Sequence, residues 1–160
     1  MEDKNLSEES TKEEVSKYFM KKFNISEEVK NKMIKENISG DILLDLTDND
    51  FKSFGLKFGP MKKIKNYLKE NNNKFKDKEI KECITVISKP EEVKSFFERC
   101  LDFKEDLNNL DGKGLIELDE EKMKALGLNL GQRKKIIKYI EYFKTLNVYF
   151  SKLNKETFTI

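Results

Sequence analysis

The sequence predicts an all-α chain of two tandem five-helix bundles, the second with a shortened second helix. Three observations predict it. The first is an internal repeat: with an offset of 72, Ile38–Glu70 aligns without a gap on Leu110–Tyr142, and 11 of the 33 positions are identical. The identities include Gly40/Gly112, Leu43/Leu115, Gly55/Gly127, Gly59/Gly131, Ile64/Ile136 and Tyr67/Tyr139. Biased Lys/Leu composition can imitate a few such matches, but not the aligned glycines. The second is that apolar residues recur at helical spacing in both copies while no segment reads as a hairpin. The third is that helix caps and stops fall at equivalent places in each copy.

Taken in order, Val15, Tyr18, Phe19 and Phe23 form the apolar stripe of a first helix, and Val93, Phe96, Phe97, Cys100 and Leu101 form its counterpart. That stripe places Cys100 in the core as a small apolar residue. Thr47 reads as an N-cap with Asp50 three residues on, flanked by Leu46 and Phe51 as a hydrophobic staple. Asp119, Leu118 and Met123 repeat the arrangement, with Lys122 in place of the box acid. Gly55 and Gly127 stand where a left-handed cap would stop that short helix. The last helix of each copy is expected to start at Gly59-Pro60 or Gly131, proline being tolerated at a first helical position. Met61, Ile64 and Leu68 then line one face, as Ile136, Ile140 and Phe143 do in the second copy. Asn71-Asn72-Asn73 reads as a stop.

This reading divides the chain into a disordered, polar lead over 1–11, a first domain over 12–73, a linker over 74–89, a second domain over 90–147 and a tail over 148–160. In the linker Ile80, Cys83, Ile84 and Ile87 fall at i, i+3, i+4 and i+7, which suits an amphipathic helix. The β-branched run there suits an extended segment as well. Val15 to Gly40 spans 25 residues and Val93 to Gly112 only 19, so the second copy has lost most of a second helix around Lys104–Asn109.

Composition narrows the function. The 160 residues carry no histidine, which removes the commonest general base and metal ligand. Two cysteines, Cys83 and Cys100, are too few for a structural zinc site and read as reduced thiols. No phosphate-binding glycine string is present and no carboxylate pair separates an acid from a base. The expectation is a protein that is not an enzyme and uses no cofactor and no metal. Net charge is +2, from 32 basic and 30 acidic residues, so a dedicated nucleic-acid binder is disfavoured. The acidic, polar start and the lack of a long apolar run predict a cytoplasmic protein without a membrane partner.

The strings EEVSKYF and ISGDILLDLTDNDFKSFGLKFGPMKKIKNYL, and in the second copy PEEVKSFF and LDGKGLIELDEEKMKALGLNLGQRKKIIKYI, resemble the SAM (sterile alpha motif) domain pattern. The resemblance covers about residues 12–71 and 90–147, and it departs from the family in lacking tryptophan. It implies a scaffold or adaptor that associates head-to-tail with other SAM domains, its own or heterologous, as a homo-oligomer or polymer, in signalling.

It further implies two surfaces per domain. The mid-loop surface would comprise Asp41, Asp45, Asp48 and Asp50 in the first copy and Asp111, Glu117, Asp119, Glu120 and Glu121 in the second. The end-helix surface would comprise Lys57, Phe58, Lys62, Lys63 and Lys65, and Leu130, Arg133, Lys134, Lys135 and Lys138. Charge does alternate acid-then-base in each copy. Solvated faces alone would also put acids near helix starts, but bases near the start of the last helix oppose the helix dipole. Phe58 and Leu130 are the expected apolar centres. Two alternatives stay open: an RNA-hairpin binder using the same bases, and an effector that blocks a host SAM polymer.

Overall fold

A computed structural model describes residues 5–75 and 88–157, with side chains except at 143 and 146–157. Among the described residues every regular element is helical, and they fall into two compact units.

In the first unit α1 (Lys12–Phe23), α2 (Glu27–Lys35), a 3-10 turn (Gly40–Asp45), α3 (Asp48–Ser53) and α4 (Phe58–Glu70) follow one another. Local chemistry sets most of their ends. Thr11 Oγ1 accepts the Glu14 N–H at 3.2 Å while the Glu14 carboxylate accepts the Thr11 N–H at 3.0 Å, a reciprocal box that starts α1. Asn24, at φ 55°, ends it in the left-handed region. Ser26 caps α2, and Thr47 with Asp50 forms the expected box at α3. Gly55, at φ 87°, donates to the Lys52 carbonyl, and Leu56 donates to that of Phe51 at 3.3 Å. That six-to-one bond marks a Schellman stop, and Leu56 is buried beside it.

The apolar stripes meet in one core built on Val15, Phe19, Met33, Ile42, Phe51 and Ile64. Tyr67 joins its rim in a ring cluster with Tyr18, Phe23 and Phe75. Burial raises the Tyr67 phenol above its ordinary pKa, and the Tyr18 phenol beside it adds to the effect.

The lead is not disordered where it is described. Leu6 is 2% exposed, Glu8 donates to the Lys74 carbonyl at 2.9 Å, and the Ser10 carbonyl accepts the Gly40 N–H at 2.8 Å. A Cβ at Gly40 would stand 1.9 Å from the Ser7 carbonyl oxygen, so this close approach requires glycine. A polar composition had pointed to disorder, but one leucine and a few backbone bonds suffice to fold residues 5–11 onto the bundle. A second correction concerns α4, which begins at Phe58, so that Pro60 is its third residue. Its missing N–H still falls in the first turn, where no intrahelical bond is lost.

The second unit contains α5 (Pro90–Leu101), α6 (Gly112–Ile116), α7 (Glu120–Ala125) and the body of α8 (Leu130–Thr157). Its details parallel the first. Glu92 accepts the Lys89 N–H at 2.9 Å, Asp102 ends α5 at φ 49°, and the Gly112 N–H bonds the carbonyl of buried Ser88 at 2.9 Å. Gly127 has φ 87°, and Leu128 donates to the Met123 carbonyl at 3.2 Å. The core gathers Val93, Phe97, Leu115, Met123 and Ile136. Buried Gln132 donates to the Leu101 carbonyl at 3.0 Å and satisfies the end of α5.

No helix lies between α5 and α6; Phe103 and Leu107 are buried from an irregular segment in its place. Cys100 is exposed, contrary to expectation. Its angle on α5 is that of the stripe, yet the chain covers Phe97 and Leu101 on either side of it and leaves Cys100 open. The expected tail is helical through Thr157, because nothing in Asn147–Thr157 breaks a helix. Cys83 and the rest of the Ile80–Ile87 stripe lie outside the described residues.

Candidate interaction surfaces

The two last helices, like the short α6, carry no acid in the first turn. α1, α2, α3, α5 and α7 carry acids in theirs, as the helix dipole favours.

At the start of α4, Lys57 is the N-cap residue and Phe58 the first helical residue. Phe58 is 72% exposed, the most exposed of the three large apolar residues that stand out at the described surface. Lys57, Lys62 and Lys63 around it are exposed and make no ion pair among the described residues. Lys65 is engaged: it pairs with Asp48, both side chains about half exposed, and so ties α4 to the start of α3.

The acidic face of the first unit is partly structural. Asp50 belongs to the α3 capping box, and Asp41 accepts the Ser39 hydroxyl. Asp45 is half-buried. Leu44, in the same 3-10 turn as Asp41 and Asp45, is 39% exposed. Sequence reasoning had not singled it out. The signal was the run Ile42-Leu43-Leu44, three apolar residues in a turn that buries only the first two.

In the second unit Asp111 and Asp119 are N-caps of α6 and α7, each accepting a backbone N–H at 2.8 Å. Glu120, which the repeat aligns with Asp48, again makes a tie to the last helix, here to Arg133 at 2.9 Å. Arg133 also donates to the Leu128 carbonyl at 2.7 Å, and its side chain is only 14% exposed. Leu130, expected at the surface of the second copy, is instead grouped with the first unit and buried in its core; Lys134, Lys135 and Lys138 are half-buried. Glu117 and Glu121 are exposed.

No group of acids and cysteines among the described residues could hold a metal ion, and no described helix is long and apolar enough to cross a membrane. The geometry offers apolar contact ringed by charge, which is chemistry for binding.

No curated protein and no solved structure matches the chain. A family model does: the one for a SAM-like domain matches residues 6–70, from the buried Leu6 to the last residue of α4. Domains of this kind are in general protein-interaction modules. The match begins within the lead that the structure folds onto the bundle and ends where Asn71 stops α4, so it coincides with one folded body. Over residues 6–70 the chain is similar to SAM-like domains.

Proposed function

We propose that the chain is a non-enzymatic scaffold of two SAM-like bundles in tandem that associates head-to-tail. In this reading the start of α4 docks on the acidic face of another SAM-like domain, from a second copy or a different protein. One observation carries it: Phe58 stands 72% exposed among Lys57, Lys62 and Lys63. An aromatic ring surrounded by charge is the usual make-up of an interface hot spot, where the ring supplies affinity and the charges supply orientation and rate. Exposed ion pairs alone are worth about 0–1 kcal/mol each, so the apolar centre is needed. The complementary surface holds Leu44 with Asp41 and Asp45 in the first unit, and Glu117 and Glu121 in the second. Because the two surfaces differ, such contacts propagate into open assemblies unless they close into a ring. The parallel caps, stops and glycine contacts of the second unit, together with the repeat, support reading it as a second bundle of the same kind.

Light scattering across protein and salt concentration tests this. The wild-type mass should rise with protein and fall with salt. Phe58→Ala should suppress that rise at every salt concentration. Lys62→Glu with Lys63→Glu should suppress it most at low salt, while the fold stays intact, because all three residues lie off the Met61/Ile64/Leu68 core face. If both variants associate like the wild type at low salt, the reading is wrong.

A further inference from the structure

Two helices of this chain begin with the same pattern and differ in what meets it. Phe58 opens α4 between Lys57 and Gly59, and Leu130 opens α8 between Asn129 and Gly131, at the positions the repeat aligns. A helix start leaves its first N–H groups without intrahelical partners, open to an acceptor from outside.

Asn129–Gly131 groups with the first unit and finds that acceptor at the end of α2. There the Glu36 carboxylate accepts the Leu130 N–H at 2.7 Å, and the Glu36 carbonyl accepts the Gly131 N–H at 2.8 Å. Leu130 is buried in the core. A Cβ on Gly131 would stand 2.2 Å from the Asn37 carbonyl oxygen and 2.7 Å from that of Glu36, so this seat requires glycine.

At α4 the same pattern is open. Lys57 gives the helix no side-chain cap, and a lysine there opposes the helix dipole. Phe58 is 72% exposed, and a Cβ on Gly59 would meet nothing within 4 Å. Among the described residues nothing therefore calls for glycine at 59, and glycine weakens a helix relative to alanine.

We propose that the start of α4 seats on the end of α6 in a second copy of this chain, with Gly59 letting the two backbones meet. The proposal rests on the reading of Phe58 given above and names what the partner presents to it. Among the described helices α2 and α6 end alike. Glu36 is the C-cap of α2 at φ −88° and ψ 9°, and Glu117 the C-cap of α6 at φ −86° and ψ 0°. Glu36 donates its N–H to the Ile34 and Lys32 carbonyls, and Glu117 donates to those of Leu115 and Lys113. Glu36 is engaged by Leu130 and Gly131, whereas Glu117 is exposed and flanked by half-buried Ile116 and Leu118. The other candidate ends fit less well. Asp102, the C-cap of α5, is left-handed, and Gln132 already takes the Leu101 carbonyl beside it. Asp45, which the repeat aligns with Glu117, is half-buried. In the seat on α6 the Glu117 carboxylate accepts the Phe58 N–H and its carbonyl accepts that of Gly59. Phe58 packs on Ile116 and Leu118, and Lys57 brings the charge opposite to Glu117.

Sedimentation of the full chain at low salt, with a urea melt of each variant beside it, tests this. Glu117→Ala should weaken self-association about tenfold or more, as loss of a hydrogen bond to a charged group does. Gly59→Ala should weaken it as much without loss of stability. Mixing these two variants should give complexes of two chains, since one keeps the helix start and the other the helix end. If Phe58→Ala weakens association and Gly59→Ala does not, the seat is refuted and the reading of Phe58 stands; if neither does, both fall. Wild-type association of Glu117→Ala, or a mixture that stays as single chains, also overturns the seat on α6. So does a loss of stability in Gly59→Ala, which would give that glycine a role inside the chain.

Discussion

Between its first helix and the aligned glycine turn the first unit uses 16 residues, Asn24 to Ser39, nine of them in α2. The second unit uses ten, Asp102 to Asp111, and forms no helix there. Yet both close a core. In the first, α2 contributes Val29 and Met33; in the second, Phe103 and Leu107 reach inward from irregular backbone. The difference shows what this bundle requires. The constant features are the first helix, the glycine N–H bonded to a carbonyl just ahead of that helix, the short capped helix with its left-handed glycine, and the last helix. The second helix is a way of filling volume, and two aromatic or aliphatic plugs can fill it instead.

If Phe103 does the packing work of a helix, Phe103→Ala should destabilise the second unit by roughly 3–5 kcal/mol, as loss of a buried aromatic does. Met33→Ala in α2 should cost the first unit about 2–5 kcal/mol. Urea melts monitored separately for each unit would show this; a cost below about 1 kcal/mol for Phe103→Ala would break the equivalence.

The glycine contact comes next in size. Gly40→Ala forces a Cβ against the Ser7 carbonyl and should cost roughly 2–3 kcal/mol. Gly59→Ala meets nothing within 4 Å and should be neutral or stabilising by up to about 1 kcal/mol. Chemical denaturation of the two variants separates a steric requirement from mere glycine content.

Thr47→Ala and Asp119→Ala remove equivalent caps and should each cost about 1 kcal/mol, read as parallel shifts in the melting of the two units. A large asymmetry would mean that Asp50, which completes the box only in the first unit, matters more than the cap itself.

The smallest effect at neutral pH is expected from Tyr67→Phe. The folded phenol holds its proton more tightly than the unfolded one, whose pKa is about 10. Its contribution is therefore fully present below about pH 10 and is lost as pH rises above it. The first unit should lose stability in alkali, and Tyr67→Phe should blunt that loss. A pH series of thermal melts checks it.

Residue types and spacing were enough for the all-helical class, the repeat, the boxes at Thr47 and the stops at Gly55 and Gly127, because each is settled within a few residues of chain. The missing second helix was legible too, as six fewer residues between Val93 and Gly112 than between Val15 and Gly40. So was the candidate site at Phe58, through its place at the start of α4. Other properties depended on what lies across the fold. Leu6 is buried and Cys100 exposed because burial depends on which surface another segment reaches, and periodicity fixes only an angle. Asp48 and Lys65 are 17 residues apart, and only the packing of α3 against α4 brings them together and leaves Lys62 and Lys63 outward. Sequence by itself determined the elements and their local ends. The tertiary structure decided which of their charges and apolar side chains remain available to a partner, since availability is what is left after the long-range contacts are made.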